Sequence, residues 1–191
     1  MLKIITLFAV FFFLTISTFA QGKTNDEMNR QIRSLGVEKV ITVSYDSSGN
    51  SSKVMAVAEN FSNKDADRAG VMAMNFATGF FYPGTTLTAA PERLHFSFWV
   101  KSHKPRFADN HHFTADLGGG KQLDLGEARY SPKPREEMEY LNFELSRTDL
   151  AAIAGADNVT FHLGQYTFAV SPAQLKLLRG LVSIVDVSVA K

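Results

Sequence analysis

Apolar and polar positions alternate, pair and cluster in several distinct rhythms along this chain, and each rhythm predicts an element. Leu94, Phe96, Phe98 and Val100 alternate with His95, Ser97, Trp99 and Lys101. That period of two marks a half-buried strand. Residues 39–45 are rich in β-branched and apolar side chains, residues 46–50 are dense in turn formers, and residues 53–61 are extended again. Together they predict a hairpin over 39–61. A second hairpin is predicted where 111–117 and 122–130 flank Gly118, Gly119, Gly120 and Lys121. Ser131-Pro132-Lys133-Pro134 reads as a stiff connector, after which Leu141, Phe143 and Leu145 point inward and Tyr140, Asn142 and Glu144 outward.

Helical signals are fewer. Residues 27–35 suit a short helix stopped by Gly36, in an otherwise loose segment over 21–38. Residues 65–82 carry two conflicting patterns. Ala69, Met72, Ala73, Phe76 and Phe80 fall at helical spacing and predict a helix from Asp65 to Ala77, whereas Phe80-Phe81-Tyr82 favours strand. Further on, Ser146 and Asp149 form a helix-capping pair, Gly164-Gln165 turns a hairpin over 159–170, and Ser171-Pro172 opens a final helix. Its apolar face of Leu175, Leu178 and Leu181 is expected to pack on that hairpin. These elements predict an α+β fold, mainly an antiparallel β-sheet or sandwich with two or three packed helices. Residues 39–191 form one β-rich domain in this reading, with a strand-helix-hairpin-helix unit at 139–186.

From Leu141 to Gly180 the order is strand, short helix with Leu150 and Ala154, Val159 to Gly164, second strand, then Leu175 to Arg179. This order resembles that of uncharacterised exported bacterial proteins, and the hairpin around Asp116 to Gly126 is compatible with the same grouping. The resemblance implies a shared fold element and carries no activity with it.

Residues 1–20 change the picture most. Lys3 precedes an apolar run from Ile4 to Ile16, and Thr18 and Ala20 occupy the small-residue positions before a cut. The run is short for a membrane span, so it predicts a cleavable signal peptide, a mature start at Gln21, and a periplasmic or extracellular location. With the leader removed 171 residues remain, in which 19 basic side chains balance 19 acidic ones. No basic excess exists for nucleic acid or an anionic membrane. The absence of cysteine excludes disulfides, thiolate metal sites, thiol catalysis and a thiol-linked lipid anchor. No later segment is long and apolar enough to act as a transmembrane anchor.

The candidate chemistry is thin. His95, His103, His111 and His112 lie close in sequence, near Asp109 and Asp116. Imidazoles and carboxylates of this kind ligate zinc or copper, with His103, Asp109, His111 and His112 the nearest approach to a ligand set. Adjacent His111 and His112 on a strand are expected to face opposite ways, and Pro105 interrupts the stretch, so no metal site and no cofactor is expected. The glycine run before Lys121 lacks the spacing of a phosphate loop, and Ser188–Lys191 matches S-x-x-K without its companion motifs. Glu136, Glu137 and Glu139 read as a solvated acidic face, and no catalytic residue is assigned.

Aromatic residues remain. Phe80, Phe81, Tyr82 and Trp99 form the candidate ligand or partner patch, unless the 65–77 helix covers it. The function these features favour is a non-catalytic exported protein that binds a protein or small-molecule partner. A hydrolase of unfamiliar type and a metal-handling protein using the His95–His112 stretch are the alternatives.

Overall fold

The computed structural model describes residues 22–186, so residues 1–20, read above as a signal peptide, the expected start at Gln21 and Ser188–Lys191 lie outside the described residues. The first hairpin is β2 (Ile41–Asp46) and β3 (Ser51–Val57), antiparallel as the pattern predicts. Before it come β1 (Lys23–Thr24) and α1 (Asn25–Leu35). This N-terminal segment is not loose. β1 pairs with β5 (Thr86–Leu87), and Met28 and Ile32 of α1 are fully buried. Thr24 and Glu27 close a capping box at the front of α1, and Gly36 ends it in the left-handed conformation.

The predicted helix over 65–77 is corrected. α2 spans only Asn63–Ala69, and the chain then extends into β4 (Ala73–Pro83). Gly70, at φ 67°, takes the left-handed turn that stops α2. Beyond it Met74, Phe76, Phe80 and Tyr82 alternate into the core as a strand requires. Helical spacing of Phe76 and Phe80 is equally strand parity, and β-pairing on both sides decides the matter.

β6 (Arg93–Lys101) follows, then β7 (His112–Asp116) and β8 (Gln122–Glu127) around the glycine turn. The Pro132 connector is instead β9 (Arg129–Lys133), an edge strand, where a missing N–H is tolerated. β10 (Met138–Ser146) leads into α3 (Arg147–Gly155), the hairpin β11 (Thr160–Leu163) and β12 (Tyr166–Ala169), and α4 (Pro172–Val185). A six-stranded antiparallel sheet runs β2-β3-β4-β6-β10-β9, and a four-stranded one runs β12-β11-β7-β8.

The two sheets face each other across a phenylalanine core. Phe98 and Phe113 meet edge to face at 5.0 Å between ring centres, Phe113 and Phe161 at 5.2 Å, and Phe76 stacks on Phe96 at 5.1 Å. Such pairs add roughly 0.5–1.5 kcal/mol each beyond the area they bury. Leu175 and Leu178 are buried, as expected, and α4 lies mainly along α3, with further contacts to α1 and β3. The fold is α+β, an antiparallel sandwich with helices packed on it. Among the described residues no helix is long and apolar enough to cross a membrane.

Candidate functional site

Strand alternation sends Leu94, Phe96, Phe98 and Val100 of β6 into the core and leaves His95, Ser97 and Trp99 on the other face of the six-stranded sheet. Register then assembles that face row by row. Met55, Gly79 and His95 lie side by side, as do Ala77, Ser97 and Asn142, and then Asn75, Trp99 and Tyr140. The middle of the face is therefore built from small side chains, Ala77, Gly79 and Ser97. Gly79 has to be glycine on packing grounds, because a Cβ there would run into the Val54 carbonyl of β3.

Aromatic rings stand at both ends of this low floor. At one end Phe81, 58% exposed, meets His95 edge to face at 6.1 Å, with the Lys53 ammonium 5.6 Å from its ring centre. At the other end Trp99 meets Tyr140 edge to face at 6.4 Å. Four residues of strand separate His95 from Trp99, about 13 Å at the usual rise per residue. The open depression between them measures about 220 Å³. On this same face Ser97 Oγ and Asn75 Oδ1 are buried and have no hydrogen-bond partner. Polar atoms left buried and unpaired in this way cost stability.

The structure splits the aromatic patch that the sequence suggested. Phe81 and Trp99 share the outer face, but Phe80 and Tyr82 have the opposite parity on β4 and are buried in the core. There the Tyr82 hydroxyl donates to Asn25 Oδ1, and burial pushes its pKa up. Tyr140, which completes the Trp99 end, was legible only as an outward residue. Its partnership with Trp99 depends on the β6–β10 register.

The histidines disperse. His95 belongs to the depression, and His103 pairs with Glu137 at 2.9 Å in an exposed loop. His111 and His112 do not turn apart. His111 precedes the first residue of β7, so strand alternation does not apply to it, and both rings reach Glu127, at 3.9 and 3.0 Å. Their nitrogens are otherwise committed: His111 Nδ1 to the Phe107 carbonyl at 3.1 Å, His112 Nε2 to Asp124 at 3.0 Å. Asp109 is exposed and joins none of these contacts. Among the described residues no three His, Asp or Glu side chains converge as metal ligands.

Glu136 and Glu137 are exposed, as a solvated acidic face requires, but Glu139 is not part of it. It has the inward parity of Leu141 and is 2% exposed. Its carboxylate accepts from Ser102 Oγ at 2.8 Å, from the Arg106 and Phe107 backbone N–H groups at 3.0–3.1 Å, and from the Tyr130 hydroxyl at 2.9 Å. Four donors occupy its acceptor sites, so the group anchors the 102–107 loop to the sheet. Burial, followed by the hydrogen bond to Glu139, pushes the Tyr130 phenol up to about 12. The Gly118–Gly120 run is a turn between β7 and β8, with all three glycines at positive φ.

No known family model matches this chain, and neither does any curated protein or solved structure.

Proposed function

We propose that this is an exported binding protein whose ligand or partner sits on the outer face of the six-stranded sheet, between the Phe81–His95 and Trp99–Tyr140 ends. One observation carries the reading: an aromatic-rimmed depression lies on a sheet face that no other described element covers. Large aromatic side chains left half-open around a small-residue floor are poor economy for a purely structural surface and suit a surface that will be covered. Export rests on the leader reading of residues 1–20, which places the binding event in the periplasm or outside the cell.

Trp99 is the sole tryptophan, so its emission reports on the site directly. A titration series of saccharides, small aromatics and peptides should include a class that shifts the Trp99 emission saturably, and Phe81→Ala with Tyr140→Ala should abolish that shift while the fold persists. A series in which nothing saturates would remove the depression as the site. N-terminal sequencing of exported material should begin at Gln21, and a retained Met1 would overturn the export reading.

A further inference from the structure

The free edge of β2 is an interaction surface: we propose that two copies of this chain pair through it, antiparallel about a two-fold axis at Val43, and join their six-stranded sheets into one. Three of the four edges of the two large sheets are guarded. β9 carries Pro132 between Arg129 and Lys133. β8 is interrupted by a bulge, with Gly126 at φ 86°, and carries Asp124 and Glu127. β12 is covered by α2, whose Asp65 takes the Ala169 N–H at 3.3 Å. Proline, bulges, charge and helical cover are the devices that keep a strand from pairing with another chain. β2 has none of them. Its register with β3 runs unbroken from Ile41 to Asp46, and Asp46 at its end is its one charge.

Hydrogen-bond parity defines what this edge offers. The Val57 N–H donates to the Val40 carbonyl at 2.8 Å, so the even-numbered residues of β2 bond to β3. Ile41, Val43 and Tyr45 therefore turn their backbone groups to the free side. The Ile41 N–H is taken by the Val37 carbonyl at 2.9 Å. The Val43 and Tyr45 N–H groups and the Ile41 and Val43 carbonyls have no backbone partner among the described residues. Thr42, Ser44, Tyr45 and Asp46 are exposed around them.

A second copy of β2 answers this edge group for group. With Val43 opposite Val43, each Val43 N–H meets the other copy's Val43 carbonyl, and each Tyr45 N–H meets an Ile41 carbonyl. The side chains agree as well. On one face Val43 lies opposite Val43 and Tyr45 opposite Ile41; on the other Thr42 lies opposite Ser44. Apolar meets apolar and polar meets polar. A slip of one residue would oppose unlike faces, and a slip of two, centred on Ser44, would leave Ile41 opposite Ser47 of the turn. Asp46 comes opposite Val40 of the second copy, beyond which stand Lys39 and Glu38, so no like charges are directly opposed. Each chain has one such edge, and two-fold pairing uses both, so assembly stops at two.

The test uses the mature protein, residues 21–191, from about 1 μM to about 1 mM, the range for a small interface. Sedimentation velocity should show monomer passing to dimer as concentration rises, with no larger species. Hydrogen exchange at Val43 and Tyr45 should slow in step with dimer formation, while Thr42 and Ser44, already bonded to β3, stay slow throughout. Val43→Pro removes an N–H that the β2–β3 ladder does not use, so it should weaken the dimer at least about tenfold with the circular dichroism kept. The chain has no cysteine, so cross-linking reports single sites. With diamide as oxidant, Val43→Cys should give a disulfide-linked dimer, because opposed residues of a bonded pair stand about 5.5 Å apart between Cα atoms, within disulfide reach. Lys133→Cys, on the β9 edge, should not. A monomer at every concentration would overturn the proposal, as would a dimer in which Val43 and Tyr45 exchange as fast as in the dilute protein. Cross-linking through Lys133→Cys in preference to Val43→Cys would overturn it by moving the contact to the other edge. If Val43→Pro does not fold, the exchange pattern and the cross-links decide.

Discussion

The two faces of the six-stranded sheet are made by the same strands and behave as different materials. On the inner face Phe76, Phe96, Phe98 and Phe143 are sealed against Phe113 and Phe161 of the opposing sheet. One residue along, the outer face offers Ala77, Gly79 and Ser97 beneath aromatic rings that no described element covers. Phe98 and Trp99 are neighbours in sequence, yet one ring holds the sandwich together and the other is left for contact. Burial by the second sheet, rather than residue type, divides structural aromatics from available ones.

Substitutions on either side of that division should separate by size of effect. Phe98→Ala removes a fully buried ring that contacts Phe61, Phe96, Phe113, Phe143 and Phe161, so denaturant unfolding should show a loss of about 3–5 kcal/mol. A loss under 1 kcal/mol would dissolve the contrast. Leu178→Ala, in the α4 layer that packs on α3, should cost about 2–5 kcal/mol by the same measurement. Glu139→Ala strands the Arg106 and Phe107 N–H groups and should cost about 1–3 kcal/mol, with faster hydrogen exchange confined to the 102–107 loop.

Tyr130 sharpens the last point through pH. Its phenol titrates near 10.0 when unfolded and at about 12 in place, so the folded state holds the proton more tightly. That contribution to stability is complete below pH 10 and is lost as pH rises towards about 12. Lys23 works in the opposite sense below its ordinary 10.5, since burial disfavours its ammonium. Tyr130→Phe should therefore flatten the alkaline fall in denaturation midpoint above pH 10. An unaltered fall would assign it elsewhere. The smallest effect belongs to the outer face: Trp99→Ala should change stability by less than about 1 kcal/mol while removing ligand response in calorimetry. A large destabilisation would show that Trp99 is a core residue.

Sequence pattern reached the sandwich by way of its clearest alternation. Residues 94–100 reveal both the inward phenylalanines and the outward Trp99 without any structure, because parity is a local property. Residues 65–82 misled for the reason that Phe76 and Phe80, four apart, satisfy helix and strand alike. The depression itself was out of reach. Its floor brings Ala77, Gly79 and Ser97 together from two strands, and its ends require Tyr140 beside Trp99 and Phe81 beside His95, all of which depend on inter-strand register. Glu139 was readable after all, since the inward parity of Leu141, Phe143 and Leu145 extends back to it.

The Lys23 side chain carries a consequence for the chain's connectivity. Its ammonium donates to Gln31 Oε1 and to the carbonyls of Ser183, Ile184 and Asp186, closing the C-terminal end of α4 with a residue from β1. The first strand and the last helical turn therefore meet within one side chain's length. A circular permutant follows from that contact: a short Gly/Ser bridge from Asp186 to Gly22, with new ends opened at the exposed Gly118–Gly120 turn, keeps every strand pair of both sheets. In such a molecule the Lys23 contact becomes internal to a continuous segment, and the β7–β8 hairpin becomes the place where the chain starts and stops.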